Sequence, residues 1–290
     1  MENLLKEIRL LNANLKRIAD VLAPEADPDV LDRHRAFRAY SENNRLFVKG
    51  ISLPDPVRFR ELKGIDEILT SLSQNTLQFI QGLPCNNVLL YGPRGTGKSS
   101  AVKALLNEYG SKGLRLIELP RETLVHIAEI REILRQRPEK YILFCDDLSF
   151  SENDDSYINI KTILEGGLEA RPSNILIYAT SNRRHLMPER AEDNLPIFSE
   201  GELHTGETLE EKMSLSDRFG LRLGVGHFDM DTYLDIIFNY AGIRGIRIGK
   251  EEIKAAAMQW SISHGNFSGR TARQFVDDLE GQLKKKRRKN

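Results

Sequence analysis

The chain has 290 residues, 40% of them hydrophobic and 29% charged, and its 42 basic residues balance 42 acidic ones. This length suits one α/β core with a smaller second domain, and the balanced charge excludes an overall field that directs the protein to nucleic acid or a membrane. Two cysteines, Cys85 and Cys145, exclude a disulfide framework. No apolar run approaches the ~18 residues of a membrane span, so we expect a cytoplasmic protein.

A charged helix with a single apolar stripe is predicted for residues 1–22. About three heptads are short for an isolated coiled coil, so the stripe suits self-association and packing against the same chain equally well. A proline-containing linker (23–28) follows, and a second helix is predicted from about Asp29 to Tyr40. Residues 46–48 are expected to be extended. The stripe consists of Leu4, Ile8, Leu11, Leu15, Ile18 and Leu22.

Residues 88–99 carry the pattern that is most informative about chemistry. The apolar run 88–91 predicts a short buried strand, the sequence Gly-Pro-Arg-Gly-Thr-Gly-Lys-Ser follows it directly, and a helical pattern comes next. Strand, glycine-rich loop and helix in this order are the context of a phosphate-binding P-loop. Lys98 would reach the β- and γ-phosphates of ATP, and the Ser99 hydroxyl would ligate Mg²⁺. The candidate nucleotide-binding residues here are Gly92, Pro93, Arg94, Gly95, Thr96, Gly97, Lys98, Ser99 and Ser100.

An acidic pair after a buried strand is the second chemical element. Residues 141–145 form an apolar run that ends in Asp146 and Asp147. An acid at the carboxyl end of a buried strand, in a chain with a P-loop, is the expected Mg²⁺ ligand, and we assign that role to Asp146. Asp147 is the candidate base or water-orienting group.

Strand patterns alternate with helix patterns up to about residue 229. Further strands are predicted for 114–119 and 174–180, with helices over 121–136 and 156–169 between them. Because most of these strands are apolar throughout, we predict a parallel sheet covered by helices on both faces. Three helical patterns then follow. They lie at 230–241, 250–261 and 269–285.

These elements predict an α/β fold, with a small all-helical lid domain after the sheet. We divide the chain into an N-terminal helical adaptor region (1–56), an α/β nucleotide-binding domain (57–228), a helical lid (229–283) and a basic tail (284–290).

The chain resembles an AAA+ P-loop ATPase over roughly residues 57–283. Within that superfamily it is similar to a bacterial family of stand-alone ATP-binding proteins catalogued only as a domain of unknown function. The runs that carry this resemblance are 146–150, 179–186 and 214–220, besides the P-loop. The resemblance implies that Gly92 to Ser99 are Walker A and that Asp146 is the metal-binding acid of Walker B.

The same resemblance assigns further roles. Asn182 matches sensor 1, which orients the attacking water, and Arg218 matches the arginine finger that one subunit supplies to its neighbour's ATP. Arg270 matches sensor 2, with Arg273 as the alternative one turn later. The dipeptide 64–65 (Gly64 and Ile65) matches the stretch that touches adenine. These matches imply ATP and Mg²⁺ as cofactors, and a homo-oligomer.

One departure from the superfamily concerns Walker B. Most members carry Asp-Glu, whereas this chain has Asp146-Asp147. The shorter side chain retracts the carboxylate by roughly 1.5 Å, and a displacement near ~1 Å can lower a rate on the order of a hundredfold. Glu152 or Glu165 are the candidates for compensation. We therefore predict firm ATP binding and slow hydrolysis that depends on assembly.

Two classes of function stay open at this point. The first is an ATPase that remodels or loads a protein or DNA client, and the second is a nucleotide-gated switch or scaffold with little turnover. Residues 183–185 form either a basic interface patch or a solvated loop, and the acidic segment 187–213 is either a partner-binding loop or a plain connection. The basic run 284–289 suits phosphate backbone, an anionic membrane surface or a solubilising tail.

Overall fold

The computed structural model describes residues 29–150, 156–165, 172–184, 186, 215–265 and 267–287, with Glu7, Leu11, Asn14 and the pairs 198–199 and 202–203. The predicted heptad helix and the acidic segment 187–213 therefore lie almost wholly outside the described residues, as do Glu152 and His185. Within the described ranges, no helix has both the length and the apolar character needed to cross a membrane.

A seven-stranded sheet forms the centre of the molecule, with strand order β2-β1-β4-β5-β6-β3-β9. The pair β1–β2 is antiparallel, and every other pair in this sheet is parallel. A separate antiparallel pair consists of β7 and β8. The strands are β1 (Ala36–Glu42), β2 (Arg45–Ile51), β3 (Val88–Tyr91), β4 (Leu114–Glu118), β5 (Lys140–Cys145), β6 (Ile175–Ser181), β7 (Phe198–Ser199), β8 (Glu202–Leu203) and β9 (Leu221–Gly224).

Helices cover both faces of this sheet and then form a separate layer. The sheet-covering helices are α1 (Val30–Arg33), α2 (Asp66–Ile80), α3 (Lys98–Tyr109), α4 (Ile127–Arg135) and α5 (Ser156–Glu165). The last three helices are α6 (Met230–Ile243), α7 (Lys250–His264) and α8 (Gly269–Arg287). The α/β fold with a helical lid is thus confirmed.

The buried residues divide into two clusters on opposite faces of the sheet and a third inside the lid. Strand β5 shows why: Tyr141 and Leu143 join one sheet-face cluster, while Ile142 and Phe144 join the other. Successive side chains of a strand point to opposite faces, so a strand that is covered on both sides must be apolar throughout. This explains the unbroken apolar run that precedes Asp146.

The predicted helix from Asp29 to Tyr40 is wrong beyond its first turn. Helix α1 ends at Arg33, and the following residues form β1, in which Phe37 and Ala39 are buried while Arg38 and Tyr40 are exposed, which is the period of a strand. Since β1 also pairs in parallel with β4, residues 36–51 extend the main sheet and are not part of a separate helical region within 1–56.

A two-residue turn joins β1 to β2. Glu42 pairs with Arg45, and the residues between them, Asn43 and Asn44, have φ angles of 51° and 57°. Two positive φ angles are the requirement of the tight hairpin turn that fits the twist of antiparallel strands, and asparagine tolerates this region better than most residues. The hairpin was not predicted from the sequence, although the Asn-Asn pair is a signal for it. The edge strand β9 was not predicted either.

Asn44→Val is expected to destabilise the protein by about 1–2 kcal/mol, because a β-branched residue is strained at positive φ. Asn44→Gly, which accepts this conformation freely, is the matched control and should unfold close to the wild-type midpoint in urea. Equal stability of the valine and glycine variants would contradict the hairpin turn described here.

Candidate nucleotide-binding site

The strand order brings three chemically important loops to one edge of the sheet. Strand β6 lies between β3 and β5, and all three run parallel. Their carboxyl ends therefore meet, which is where open α/β sheets bind ligands. The P-loop follows β3, Asp146 follows β5 and Asn182 follows β6. The register pairs Tyr91 with Ser181, and the Gly92 backbone N–H then donates to the Ser181 carbonyl at 3.2 Å.

Three glycines shape the P-loop. Gly92, Gly95 and Gly97 have φ angles of 140°, 78° and 92°, which side-chain-bearing residues rarely adopt. A Cβ atom at Gly92 would lie 2.1 Å from the Val225 carbonyl oxygen, and one at Gly95 would lie 3.0 Å from the Ser268 hydroxyl. The loop thus packs closely against the end of β9 and against the residues before α8.

Lys98 is the first residue of α3 and only 6% of it is exposed. Its amino group donates to the carbonyl oxygens of Gly92 at 2.8 Å and Pro93 at 2.7 Å, and to Asn182 Oδ1 at 3.3 Å. Burial lowers the pKa of Lys98, and the nearby carboxylates of the acidic pair oppose this shift. A partly desolvated cation at a helix N-terminus attracts anionic ligands.

Asp146 accepts two hydroxyl hydrogen bonds on one oxygen. Ser99 Oγ lies 2.5 Å and Thr180 Oγ1 2.6 Å from Asp146 Oδ1. Asp147 has a φ angle of 51°, its backbone N–H donates to Thr180 Oγ1 at 2.9 Å, and its carboxylate accepts from Asn182 Nδ2. Asn182 therefore bridges Lys98 and Asp147 with the two ends of one carboxamide.

The lid closes over this edge of the sheet. The Arg270 backbone N–H donates to the Gly95 carbonyl at 3.2 Å, and Asn239 Nδ2 donates to the Arg60 carbonyl at 3.0 Å. Between the two layers lies a cleft of about 590 Å³. Its lining includes four largely apolar side chains, Leu62, Phe228, Ile236 and Tyr240.

Most of the predicted site residues line this cleft. They are Ile65, Arg94, Gly95, Thr96, Gly97, Lys98, Ser99, Ser100, Asp146, Asp147, Asn182, Arg270 and Arg273. The described lining does not include Gly64, Gly92, Pro93 or Arg218. Gly92 and Pro93 contribute to the site through their backbone carbonyls, which accept hydrogen bonds from Lys98. Gly64 contacts the lid instead, because a Cβ atom there would lie 2.4 Å from Thr232 Cγ2. Two acids were considered as compensation for the short Asp147 side chain. Glu165 is the last residue of α5, and Glu152 lies outside the described residues.

Several lining residues were not singled out from the sequence. The apolar side chains among them come from the linker before α2 (Leu62), the segment before α6 (Phe228) and α6 itself (Ile236 and Tyr240), and no sequence motif marks them. Thr180 did carry a signal, because it is a polar residue near the end of a largely apolar strand. In the structure it is 1% exposed and contacts the acidic pair that follows the neighbouring strand β5.

The residues at the acidic end fit a magnesium ion that is shared with phosphate. Among the described residues, no group of three or more His, Cys, Asp or Glu side chains could hold a metal alone. Mg²⁺ is commonly bound by one or two carboxylates together with substrate phosphates. Ser99 Oγ and Asp146 Oδ1 already lie next to each other at the P-loop, which is the oxygen donor set that such a site uses.

Residues 32–283 match the family described as Protein of unknown function (DUF815). The chain belongs to this family. The match spans the sheet, the cleft and the lid, so the hairpin of β1 and β2 is part of what the family shares. This confirms the resemblance to a family that is catalogued only as a domain of unknown function.

The chain is also similar to solved structures of Thermotoga maritima RuvB, described as a Holliday junction branch migration motor. One has 14% identity and a TM-score of 0.46, and the match covers 77% of this chain and 72% of that chain. An arginine-to-alanine variant of RuvB has 14% identity and a TM-score of 0.45, with 79% and 74% covered. Similarity at this level says nothing about substrate or partner. A search of curated proteins found no match.

Gly92→Ala is expected to destabilise the protein by more than about 3 kcal/mol, because its Cβ would collide with a backbone carbonyl. Gly113→Ala is the matched control: Gly113 also has positive φ, at 93°, but no atom lies within 4 Å of the added Cβ. The control should lose only about 1–2 kcal/mol. Urea unfolding would measure both, and equal losses would show that the P-loop does not pack against β9 as described.

Proposed function

We propose that this chain is an ATP-binding protein of the AAA+ class that binds ATP with Mg²⁺ in the cleft. It hydrolyses ATP slowly and in an assembly-dependent way, to remodel or load a macromolecular partner. The observation that carries this proposal is a single hydrogen-bonded network at the carboxyl edge of the sheet, in which Lys98, Asn182 and Asp147 are joined in series beside Ser99 and Asp146.

Phosphate binding is supported by the state of Lys98 and its surroundings. Its amino group contacts two P-loop carbonyls and one amide oxygen, all neutral acceptors. Anionic phosphate oxygens are stronger acceptors for a cation than neutral carbonyls are. The backbone N–H groups at the start of α3 add further donors. ATP phosphates would therefore draw Lys98 away from Gly92 and Pro93.

Ser99 and Asp146 are the proposed magnesium-holding residues. When bound, Mg²⁺ neutralises charge on the phosphate oxygens. The carboxylate and hydroxyl of these two residues lie in contact, so the protein holds both oxygens at one point beside the P-loop. The remaining coordination positions would come from phosphate oxygens and water.

Asp147 and Asn182 are the proposed water-orienting pair. Asn182 donates to the Asp147 carboxylate, which fixes where that carboxylate points. An aspartate reaches roughly 1.5 Å less far than the glutamate that is usual in the superfamily, and catalysis is sensitive to displacements near ~1 Å. Slow turnover follows from this short reach.

The contacts of the two lid arginines favour Arg270 over Arg273 as the phosphate-side residue. The Arg270 backbone N–H donates to the Gly95 carbonyl of the P-loop, and the charge of Arg270 adds to the lowering of the Lys98 pKa that burial causes. Burial raises the pKa of Tyr240, and the charge of Arg273 partly opposes this rise. We therefore assign Arg270 to the phosphates and Arg273 to the part of the cleft nearer the base.

The position of Arg218 supports the proposed oligomer. It follows a short helical turn before β9 and lies outside the described cleft lining. An arginine that stabilises a phosphoryl-transfer transition state must reach the phosphates, and in trans it contributes ~10³–10⁵ in rate. A neighbouring subunit's cleft is the site that we propose for it.

A nucleotide-gated switch or scaffold is the second candidate function. The short Asp147 side chain favours it, because ATP binding then survives while hydrolysis is weak. In this case the nucleotide would act by changing the contacts between the lid and the P-loop. Client binding that depends on ATP without turnover would distinguish this function from remodelling.

Lys98→Ala is expected to weaken ATP binding at least about tenfold, because it removes the one buried cation of the P-loop. Isothermal titration of the full chain with ATP and Mg²⁺ would measure the affinity. Lys112→Ala is the matched control, since Lys112 lies over the Tyr109 ring at the far end of α3. Unchanged affinity in Lys98→Ala would contradict the proposed site.

Specific ATPase activity is expected to rise with protein concentration, because each site needs a residue from a second subunit. Arg218→Ala should remove this rise and lower turnover by about 10³. The control Arg222→Ala, an exposed arginine paired with Asp217, should behave as wild type. If Arg218→Ala keeps the wild-type dependence, the finger assignment is wrong. If ATP binds but wild-type turnover stays near zero at all concentrations, the switch function is favoured.

A further inference from the structure

Thr180 makes contact with three consecutive residues of the Walker B segment. Its hydroxyl donates to Asp146 Oδ1 at 2.6 Å and accepts from the Asp147 backbone N–H at 2.9 Å. Its carbonyl oxygen accepts from the Leu148 backbone N–H at 2.7 Å. The pairing of β5 with β6 explains this, since Cys145 stands opposite Ala179 and the next positions are Asp146 and Thr180.

The direction of these hydrogen bonds is fixed by chemistry. A hydroxyl has one hydrogen to donate, and a backbone N–H can only donate. Because Thr180 Oγ1 accepts from the Asp147 N–H, its own hydrogen is left to donate to Asp146 Oδ1. Thr180 is also 1% exposed, so water does not compete for its hydroxyl.

The same contacts restrain the geometry of both acids. The Asp146 oxygen that accepts from Thr180 is the one that accepts from Ser99, so the threonine holds this carboxylate toward the P-loop serine. Asp147 has a φ of 51°, an uncommon conformation for a residue with a side chain. Its N–H is anchored by Thr180, and its carboxylate is held by Asn182.

We propose that Thr180 is a positioning residue that holds Asp146 in the orientation needed for Mg²⁺ and sets the backbone of Asp147. This inference rests on the proposed function, because it concerns the metal that accompanies ATP in the cleft. It goes beyond that function by assigning the metal dependence of nucleotide binding to a side chain that acts through its hydrogen bonds to Asp146 and Asp147.

The test compares variants with and without a hydroxyl at this position. Thr180→Val keeps the shape of threonine and removes the hydroxyl, whereas Thr180→Ser keeps the hydroxyl. Thr180→Ala is the hydroxyl-free counterpart of the serine variant. Thr162→Val is the control, because the exposed Thr162 hydroxyl donates to the Ile158 carbonyl within α5, away from the cleft lining. Affinity for the fluorescent ATP derivative mant-ATP is measured in EDTA and at increasing free Mg²⁺.

In EDTA, all variants are expected to bind mant-ATP as the wild type does. With Mg²⁺, the free metal concentration that gives half of the affinity gain should rise about tenfold in Thr180→Val and Thr180→Ala, the order expected for one lost hydrogen bond to a charged group. Thr180→Ser and Thr162→Val should keep the wild-type midpoint. This split between metal-free and metal-bound affinity is not expected from a general loss of stability.

An unchanged Mg²⁺ midpoint in both hydroxyl-free variants would overturn the role of Thr180. Equal weakening in EDTA and in Mg²⁺ would overturn it too, as would unfolding of both variants in thermal denaturation, because each outcome points to a structural role. If the wild-type protein itself fails to bind mant-ATP, the proposed function has failed, which is distinguishable from failure of this inference.

Discussion

The parallel pairing of β3, β6 and β5 is the constraint on which the rest of this site depends. It places the P-loop, Asn182 and the acidic pair at one edge of the sheet, although they are far apart in the chain. The pairing in turn depends on strands that are apolar on both faces, because helices cover the sheet from both sides. The polar residues that end these strands are therefore the first ones that can reach a ligand.

Nucleotide chemistry at this edge would be linked to the lid through the P-loop backbone. The Gly95 carbonyl accepts from the Arg270 N–H, and a Cβ atom at Gly95 would lie 3.0 Å from the Ser268 hydroxyl. A change in the loop would thus be transmitted to α8 without an intermediate element. Asn182 connects the other half of the site, since its carboxamide contacts both Lys98 and Asp147. Both links start at the P-loop, and they lead to two other elements: Gly95 is joined to α8, and Lys98 is joined through Asn182 to the acidic pair after β5.

The elements that could be predicted correctly are those whose sequence patterns lie within one short segment of the chain. The P-loop, the strand before Asp146 and the three lid helices depend on spacing within a few residues, and each was found close to its predicted position. The strand β1 was mistaken for helix because its pairing partner β2 and the Asn43–Asn44 turn, rather than its own propensity, decide its conformation. The role of Thr180 depends on the register of two strands, which no single segment specifies.

A crystal structure with a non-hydrolysable ATP analogue and Mg²⁺ tests the central claim most directly. We expect the triphosphate in the cleft, with Lys98 released from the Gly92 and Pro93 carbonyls to contact it and the metal held by Ser99 and Asp146. A nucleotide bound elsewhere, or Lys98 still bonded to both carbonyls beside the bound triphosphate, would contradict it.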